Sequence, residues 1–351
     1  MWRGCGPALL LAVGCTRTDK SAEAAADPAY SDAATTGYDT DIDAETDLAP
    51  GTDTSIGPPP LAWVSLDGGF VNTCGLLNDQ RVVCWGEPYA VAATPTGAFT
   101  QISVGGWEGC GILADGTLTC WCRTSAGADN AVCEGIPRGT GWVEVRTATH
   151  WACAERADRT VECWGSSGQP NAARSEPVES VADWSIEAGF GCAVLDDGTV
   201  TCWGDTDLFT LNKADATTAP PPDRTYVQVA AGRTHACALD DTGEVVCWGS
   251  TQSDQGIDFP QPSPGPWASI TAWNAFTCGL RADGSSECWF DLPGLVNDEW
   301  SIPDEKWASL GLGEWDSCGI TLDGRGVCFP EAWDSLGEQD IPDLADLALP
   351  E

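Results

Sequence analysis

Histidine is nearly missing from this sequence, with only His150 and His235 in 351 residues. That scarcity disfavours a Ser-His-Asp hydrolase, and it disfavours zinc sites that combine histidine with close Cys-x2-Cys ligands. Basic residues are few as well, 16 Lys and Arg against 53 Asp and Glu, for a net charge of −37. Such a surface repels a phosphate backbone, so nucleic acid is not an expected partner, whereas cations and basic partners are attracted. No Gly-x4-Gly-Lys phosphate loop and no Gly-x-Ser-x-Gly nucleophile turn is found. No metal or other cofactor is expected, and no pair among the many acids is singled out for glycoside hydrolysis. No apolar run after the first residues approaches the length of a membrane-spanning helix.

Cysteine is what the chain has in excess, eighteen in all. Fourteen of them fall into seven pairs with the same Cys-x9-Cys spacing: 74/84, 110/120, 153/163, 192/202, 237/247, 278/288 and 318/328. The first cysteines lie 36 to 45 residues apart, so one small unit of about forty residues is repeated seven times. An aromatic residue stands eleven positions before the first Cys: Trp63, Phe99, Trp142, Tyr226, Trp267 and Trp307. The fourth unit is expected to be three residues shorter and to use Trp184. A short alternating strand follows the aromatic residue, and then comes a turn, often at glycine.

Between the cysteines lies a hairpin. Gly116, Gly198, Gly243, Gly284 and Gly324 each stand six residues after the first Cys. An odd spacing with glycine there predicts a three-residue loop that ends in a left-handed residue, such as Asp196-Asp197-Gly198. Leu195 then pairs with Thr199, and Cys192 faces Cys202 across the hairpin. Directly opposed residues are close enough for a disulfide, so each hairpin is expected to be stapled: Cys74–Cys84, Cys110–Cys120, Cys153–Cys163, Cys192–Cys202, Cys237–Cys247, Cys278–Cys288 and Cys318–Cys328. Cys122 and Cys133 lie together in the insertion after the second unit and form the remaining candidate pair. The alternative is that these are buried thiols filling core positions. Disulfides on this scale call for an oxidising compartment.

Trp-Gly follows the second Cys in Cys84-Trp85-Gly86, Cys163-Trp164-Gly165, Cys202-Trp203-Gly204 and Cys247-Trp248-Gly249. After it come variable stretches that are expected to supply an outer strand and loops. Three or four strands per unit, repeated seven times, predict an all-β fold, a seven-bladed β-propeller over residues 61–351. The run Gly232-Arg233-Thr234-His235-Ala236-Cys237-Ala238-Leu239, with Cys247-Trp248-Gly249 beyond it, resembles the regulator of chromosome condensation repeat. The resemblance includes a secreted bacterial propeller that inhibits β-lactamase, and it implies a face for binding proteins. The units lack the long Gly-rich loop that follows Cys-Trp-Gly in the eukaryotic repeats, which argues against guanine-nucleotide exchange.

Residues 1–15 carry Arg3, a short apolar run at 8–13 and then Gly14-Cys15. This resembles a bacterial lipoprotein signal peptide, which implies lipidation of Cys15 and removal of Cys5. An ordinary cleaved signal is the alternative. Residues 16–60 are rich in Asp, Ala, Thr and Gly, and are expected to form a disordered acidic tether about 35–40 Å in span. The chain is thus expected at the outer membrane or cell surface, or secreted, as a monomer that meets the membrane only through its lipid.

Large rings recur at the turn before the first Cys: Phe70, Trp107, Trp151, Phe190, Trp273 with Phe276, and Trp315, with His235 in the fifth unit. Equivalent turns of a propeller share one rim, so these rings are candidates for binding an extracellular or periplasmic protein or glycan. The competing view packs them between blades. The expected function is a non-catalytic binding scaffold. The alternatives are a carbohydrate-active enzyme on the same scaffold, or a passive surface component.

Overall fold

The computed structural model describes residues 59–351 except 71, 87–94, 123–130, 167–177, 188, 205–218, 250–260, 291–301, 314–315, 331–340 and 348–351. The signal segment, Cys5, Cys15, nearly all of the tether and Trp315 therefore lie outside the described residues. One compact unit spans Leu61–Glu351.

Seven three-stranded antiparallel sheets follow one another in chain order. Blade one holds β1 (Trp63–Gly68), β2 (Asn72–Leu77) and β3 (Val82–Gly86). Blade two holds β4 (Phe99–Val104), β5 (Gly109–Leu113) and β6 (Leu118–Trp121). Blade three holds β7 (Trp142–Ala148), β8 (Trp151–Arg156) and β9 (Val161–Gly165). Blade four holds β10 (Val181–Glu187), β11 (Phe190–Leu195) and β12 (Val200–Gly204). Blade five holds β13 (Tyr226–Ala231), β14 (His235–Asp240) and β15 (Val245–Gly249). Blade six holds β16 (Ser269–Trp273), β17 (Phe276–Leu280) and β18 (Ser286–Phe290). Blade seven holds β19 (Trp307–Gly311), β20 (Asp316–Thr321) and β21 (Gly326–Pro330). Short helices α1 (Ala131–Glu134) and α2 (Leu344–Leu347) complete the described elements. Strand β1 lies against β19 and β20, so the ring closes as a seven-bladed propeller.

The hairpins form as their spacing requires. Every Cys-x9-Cys pair is in direct register, as Cys192 is with Cys202, and all seven are bridged with Cα atoms 4.0–4.1 Å apart. Cys122–Cys133 forms an eighth bridge. Leu195 N–H donates to Thr199 O at 2.8 Å, and Gly198 turns through φ +79°, which gives the three-residue loop. Gln80 and Arg159 hold the same left-handed position in blades one and three, with φ 72° and 69°. The turn Asp caps its own loop: Asp197 Oδ1 accepts from Thr199 N–H at 3.0 Å and from Thr199 Oγ1–H at 2.6 Å, and Asp115 does the same with Thr117.

Each of these turns also braces the next blade. The carbonyls of Gln80, Gly116, Arg159, Gly198, Gly243 and Gly284 accept from the N–H groups of Phe99, Trp142, Val181, Tyr226, Trp267 and Trp307, at 2.8–3.2 Å. The core lies in the layers between blades. One layer joins Cys74, Leu76, Val82 and Cys84 of blade one to Phe99, Ile102, Val104 and Trp121 of blade two. The others repeat this plan around the ring.

Two expectations from the sequence need correction or completion. Unit four is full length. Val181 pairs with Leu195 as Trp63 pairs with Leu77, so valine takes the aromatic position. Trp184 sits three residues further on, buried where the other blades carry Leu66, Ile102 and Val145. Most of the expected outer-strand stretches fall outside the described residues. Two described fragments show what occupies that edge. Val178 bridges to Val161 on β9. The Gln261 side-chain amide accepts from Cys247 N–H and donates to Cys247 O, both at 2.9 Å, which reproduces a ladder step on β15.

Candidate functional site

Innermost strands carry one repeated irregularity. In six blades the ladder slips one residue near the strand start, between Trp63 and Ser65, Phe99 and Gln101, Trp142 and Glu144, Val181 and Asp183, Tyr226 and Gln228, and Trp307 and Ser309. This bulge turns the following polar side chains toward the central channel and the neighbouring blade. There they take up N–H groups of the next innermost strand. Val104 N–H donates to Asp67 Oδ2 at 2.8 Å, Thr147 N–H to Ser103 Oγ at 3.0 Å and Ala231 N–H to Ser185 Oγ at 3.0 Å. At the earlier polar position, Val145 N–H donates to Gln101 Oε1 at 3.0 Å, Val229 N–H to Asp183 Oδ2 at 2.8 Å and Ile270 N–H to Gln228 Oε1 at 2.8 Å.

The channel encloses a cavity of about 240 Å³ between the innermost strands of six blades. Arg146 breaks the pattern of acceptors. It donates to Glu144 at 2.8 Å and to Asp183 at 3.5 Å, and its guanidinium lies 5.1 Å from the Trp184 ring centre. Burial pushes the Asp183 carboxyl up to about 6, against the opposing pull of Arg146 and the Val229 N–H. Burial likewise raises Asp67 to about 6, against the Val104 N–H and Ser103. Glu155 also stands at about 6, raised by burial and by Glu144 although Trp184 Nε1–H donates to it at 3.0 Å. Of the charged residues that line the cavity, Asp67 and Glu144 outnumber Arg146. Among the described residues no group of three or more His, Cys, Asp or Glu side chains is arranged to hold a metal.

The opposite ends of these strands carry the turns where aromatic rings recur. Trp151, Phe190 and His235 are fully buried there, and Trp273 and Phe276 nearly so. Trp151 belongs to the layer between blades three and four, and Phe190 to the layer between four and five. His235 Nε2 lies 2.8 Å from Thr277 Oγ1 of the next blade, and burial drives its imidazole down to about 3, so it stays neutral. The expected full circle of exposed rings is thus not formed: these five side chains pack between blades. Phe70 and Trp107 remain partly exposed, with ring centres 5.0 Å apart.

Two residues outside the expected set of rim rings complete this patch. Glu108 is buried, and its carboxylate accepts from Trp107 N–H at 2.7 Å and from His150 N–H at 3.0 Å. His150 Nδ1 lies 3.8 Å from Glu108 Oε1, and the residue holds φ 68°, a left-handed backbone uncommon outside glycine that histidine adopts more readily than most side chains. The signal available in the sequence was that His150 stands one step out of the register set by His235. Phe70, Trp107, Glu108 and His150 thus bring two tilted rings in contact, a carboxylate and an imidazole to the rim of blades one to three. Partly exposed rings beside a polar group suit a sugar face or an apolar side chain with a polar tip.

Residues 226–255 match the family model described as the Regulator of chromosome condensation (RCC1) repeat. Among curated proteins nothing matches the chain. Among solved structures, the chain is similar to the CRINKLY WD40 ectodomain of the Arabidopsis thaliana receptor kinase ACR4. That match has 23% identity and a TM-score of 0.60, and it covers 78% of this chain and 98% of that one. The ectodomain of the Physcomitrella patens receptor kinase CR4 matches at 20% identity and a TM-score of 0.58, over 76% and 72% of the two chains. Yeast RCC1 (Prp20), solved with Kap60, matches at 15% identity and a TM-score of 0.56, over 74% and 80%. These likenesses establish the propeller fold.

Proposed function

We propose that this chain is an exported, non-catalytic β-propeller that binds a protein or glycan through the rim of blades one to three. The observation that carries the reading is the Phe70–Trp107 pair, partly exposed beside Glu108 and His150, where most equivalent rings are buried. The eight disulfides support export, because they persist only under oxidising conditions. The ectodomains of the two plant receptor kinases show the same fold used outside a cell. Lipidation at Cys15 would hold the domain at a membrane surface on its acidic tether, at the outer membrane or cell surface. The domain is proposed to work as a monomer, because its charge of −37 opposes self-association.

The test is a glycan array probed with the purified domain, alongside a Phe70→Ala/Trp107→Ala variant. Binding by the wild type that the variant loses, without consumption of the glycan, supports a glycan-binding rim. Equal binding by both proteins removes the rim from the account. Turnover of a glycan favours the second reading, a carbohydrate-active enzyme, for which the observation is two carboxyls held near 6, Asp67 on the channel lining and Asp183 buried beside Arg146.

A further inference from the structure

Among the described residues, the large apolar side chains that stay exposed are Val64, Val143, Val227 and Leu322, at 44%, 51%, 48% and 60%. They belong to one face of the propeller. Val64, Val143 and Val227 are the slipped residues of β1, β7 and β13, each directly after the aromatic residue that starts its strand. Leu322 opens the hairpin turn of blade seven, and its N–H donates to Lys306 O beside the start of β19. Strand starts and hairpin turns lie together at the same end of every blade, because Trp63 pairs with Leu77 just before the turn, and Trp142 with Arg156 likewise.

The remaining blades follow suit. The equivalent residues are Thr100, Ala182, Ala268 and Ala308, and all four are exposed. Hence seven exposed positions carry no charge in a chain where 20% of residues are charged. The channel lining begins one residue later in three of these strands, at Ser65, Gln101 and Glu144, which places the uncharged residues around the channel mouth. A bulge that lifts a side chain out of the ladder serves neither the sheet nor the core, so its apolar character needs another partner.

Around this mouth stand the hairpin turns with their exposed Asp side chains. Asp79, Asp283 and Asp323 have cationic neighbours in Arg81, Lys306 and Arg325. Asp115, Asp158, Asp197 and Asp241, in the turns of blades two to five, have no lysine or arginine partner among the described residues. Hydrogen bonds from Thr117 and Thr199 hold Asp115 and Asp197 below the ordinary carboxylate range, so both are charged.

We infer that this hairpin face, opposite the aromatic rim, is a second docking surface for a basic protein that presents an apolar tip collared by lysine or arginine. The valines and Leu322 supply the apolar contact, and the turn aspartates supply the complementary charge. A second copy of this chain and an anionic membrane are both repelled by the same aspartates. This inference is independent of the aromatic rim.

The test uses three synthetic peptides against the whole disulfide-bonded domain: a Lys/Leu amphipathic peptide, its Glu/Leu counterpart and a Lys/Ser peptide of equal charge. The expected result is binding of Lys/Leu alone, weakened as NaCl rises from about 50 to about 500 mM. A Val64→Ser/Val143→Ser/Val227→Ser/Leu322→Ser variant leaves every charge in place. It should bind at least about tenfold more weakly. Phe70→Ala/Trp107→Ala should bind Lys/Leu unchanged. Equal binding of Lys/Leu by the serine variant, equal binding of Lys/Ser by the wild type, or adsorption to phosphatidylglycerol vesicles in place of the peptide would each overturn the inference. Thermal midpoints of the variants check that the fold is kept.

Discussion

Replacing His235 by asparagine should alter the acid side of the stability curve more than the neutral side. The imidazole is fully buried, and burial lowers its pKa to about 3. In the unfolded chain it titrates near the ordinary value of about 6.5. A group whose folded value is depressed in this way contributes stability above pH 6.5 that is lost as the pH falls toward 3. Between pH 7 and pH 5 the unfolded chain takes up almost one proton at this site and the fold almost none. Integrated over that window, the loss is about 2 kcal/mol. Asp67, Asp183 and Glu155 oppose it. Their folded values of about 6 lie above the ordinary carboxylate range, so their contribution grows as the pH falls through 6. Each supplies at most about 1 kcal/mol over the same window, and less for the part-buried Asp67 and Glu155. The wild-type curve should therefore be nearly level from pH 7 to pH 5, whereas the His235→Asn curve should climb. The variant starts about 2–3 kcal/mol down at pH 7, from lost packing and the lost contact to Thr277. That deficit should shrink by about 2 kcal/mol at pH 5. Guanidinium titrations followed by tryptophan fluorescence, without reductant, give both numbers. A deficit that is the same at pH 7 and pH 5 would refute the argument, because it would mean that His235 protonates as readily in the fold as outside it.

Gln80→Gly should stabilise the domain by about 0.5–1 kcal/mol, because Gln80 holds φ 72° with an exposed side chain, and both of its bonds, to Leu77 and Phe99, are made by backbone. Arg159→Gly should show no such gain. Arg159 holds the same backbone position, but its side chain bonds Val181 O at 2.6 Å and pairs with Asp196. A thermal shift measurement on the two variants separates them. Trp151→Ala should cost about 3–5 kcal/mol, against a small change for Trp107→Ala, and chemical denaturation reads the difference. Reduction should add two mass units for each of the eight bridges, and intact mass unchanged by reduction would leave the stapled-hairpin account without support.

The hairpins were legible in the sequence because each rests on local chemistry. A fixed cysteine spacing, a glycine able to turn left-handed and an aspartate to cap the loop determine register without help from the rest of the chain. The repeat number and the propeller followed from their recurrence. Unit four was misread because it has Val181 where its neighbours have a ring, and Trp184 lay close enough to be mistaken for that ring. The rim was only partly legible. Whether a large ring at a turn is buried depends on the adjoining blade, and Trp151 and Phe190 find apolar neighbours there while Phe70 and Trp107 find each other. The channel ties left no sequence signal, because Asp67, Ser103 and Ser185 perform one role with different side chains, and Arg146 stands in the same row with the opposite chemistry. The slipped residues were invisible for a similar reason: Val64 or Val143 in an alternating strand reads as one more core position until the ladder shows that it has dropped out.

At six joints the hairpin carbonyl of one blade is bonded to the strand that begins the next. The joint between blades seven and one is closed differently. There Trp63, Leu66, Leu77 and Trp85 pack against Cys318 and Ile320, with Ile341, Leu344 and Leu347 laid alongside, and Arg81 reaches Leu347 O at 3.0 Å. Among the described residues the seventh joint lacks that backbone tie and relies on apolar packing and the Arg81 bond, so the ring has a built-in place to come undone. In hydrogen exchange, the amides of β1 and β19 should open first and nearly together, and cutting the chain ahead of α2 should loosen that seam while the six tied joints stay shut.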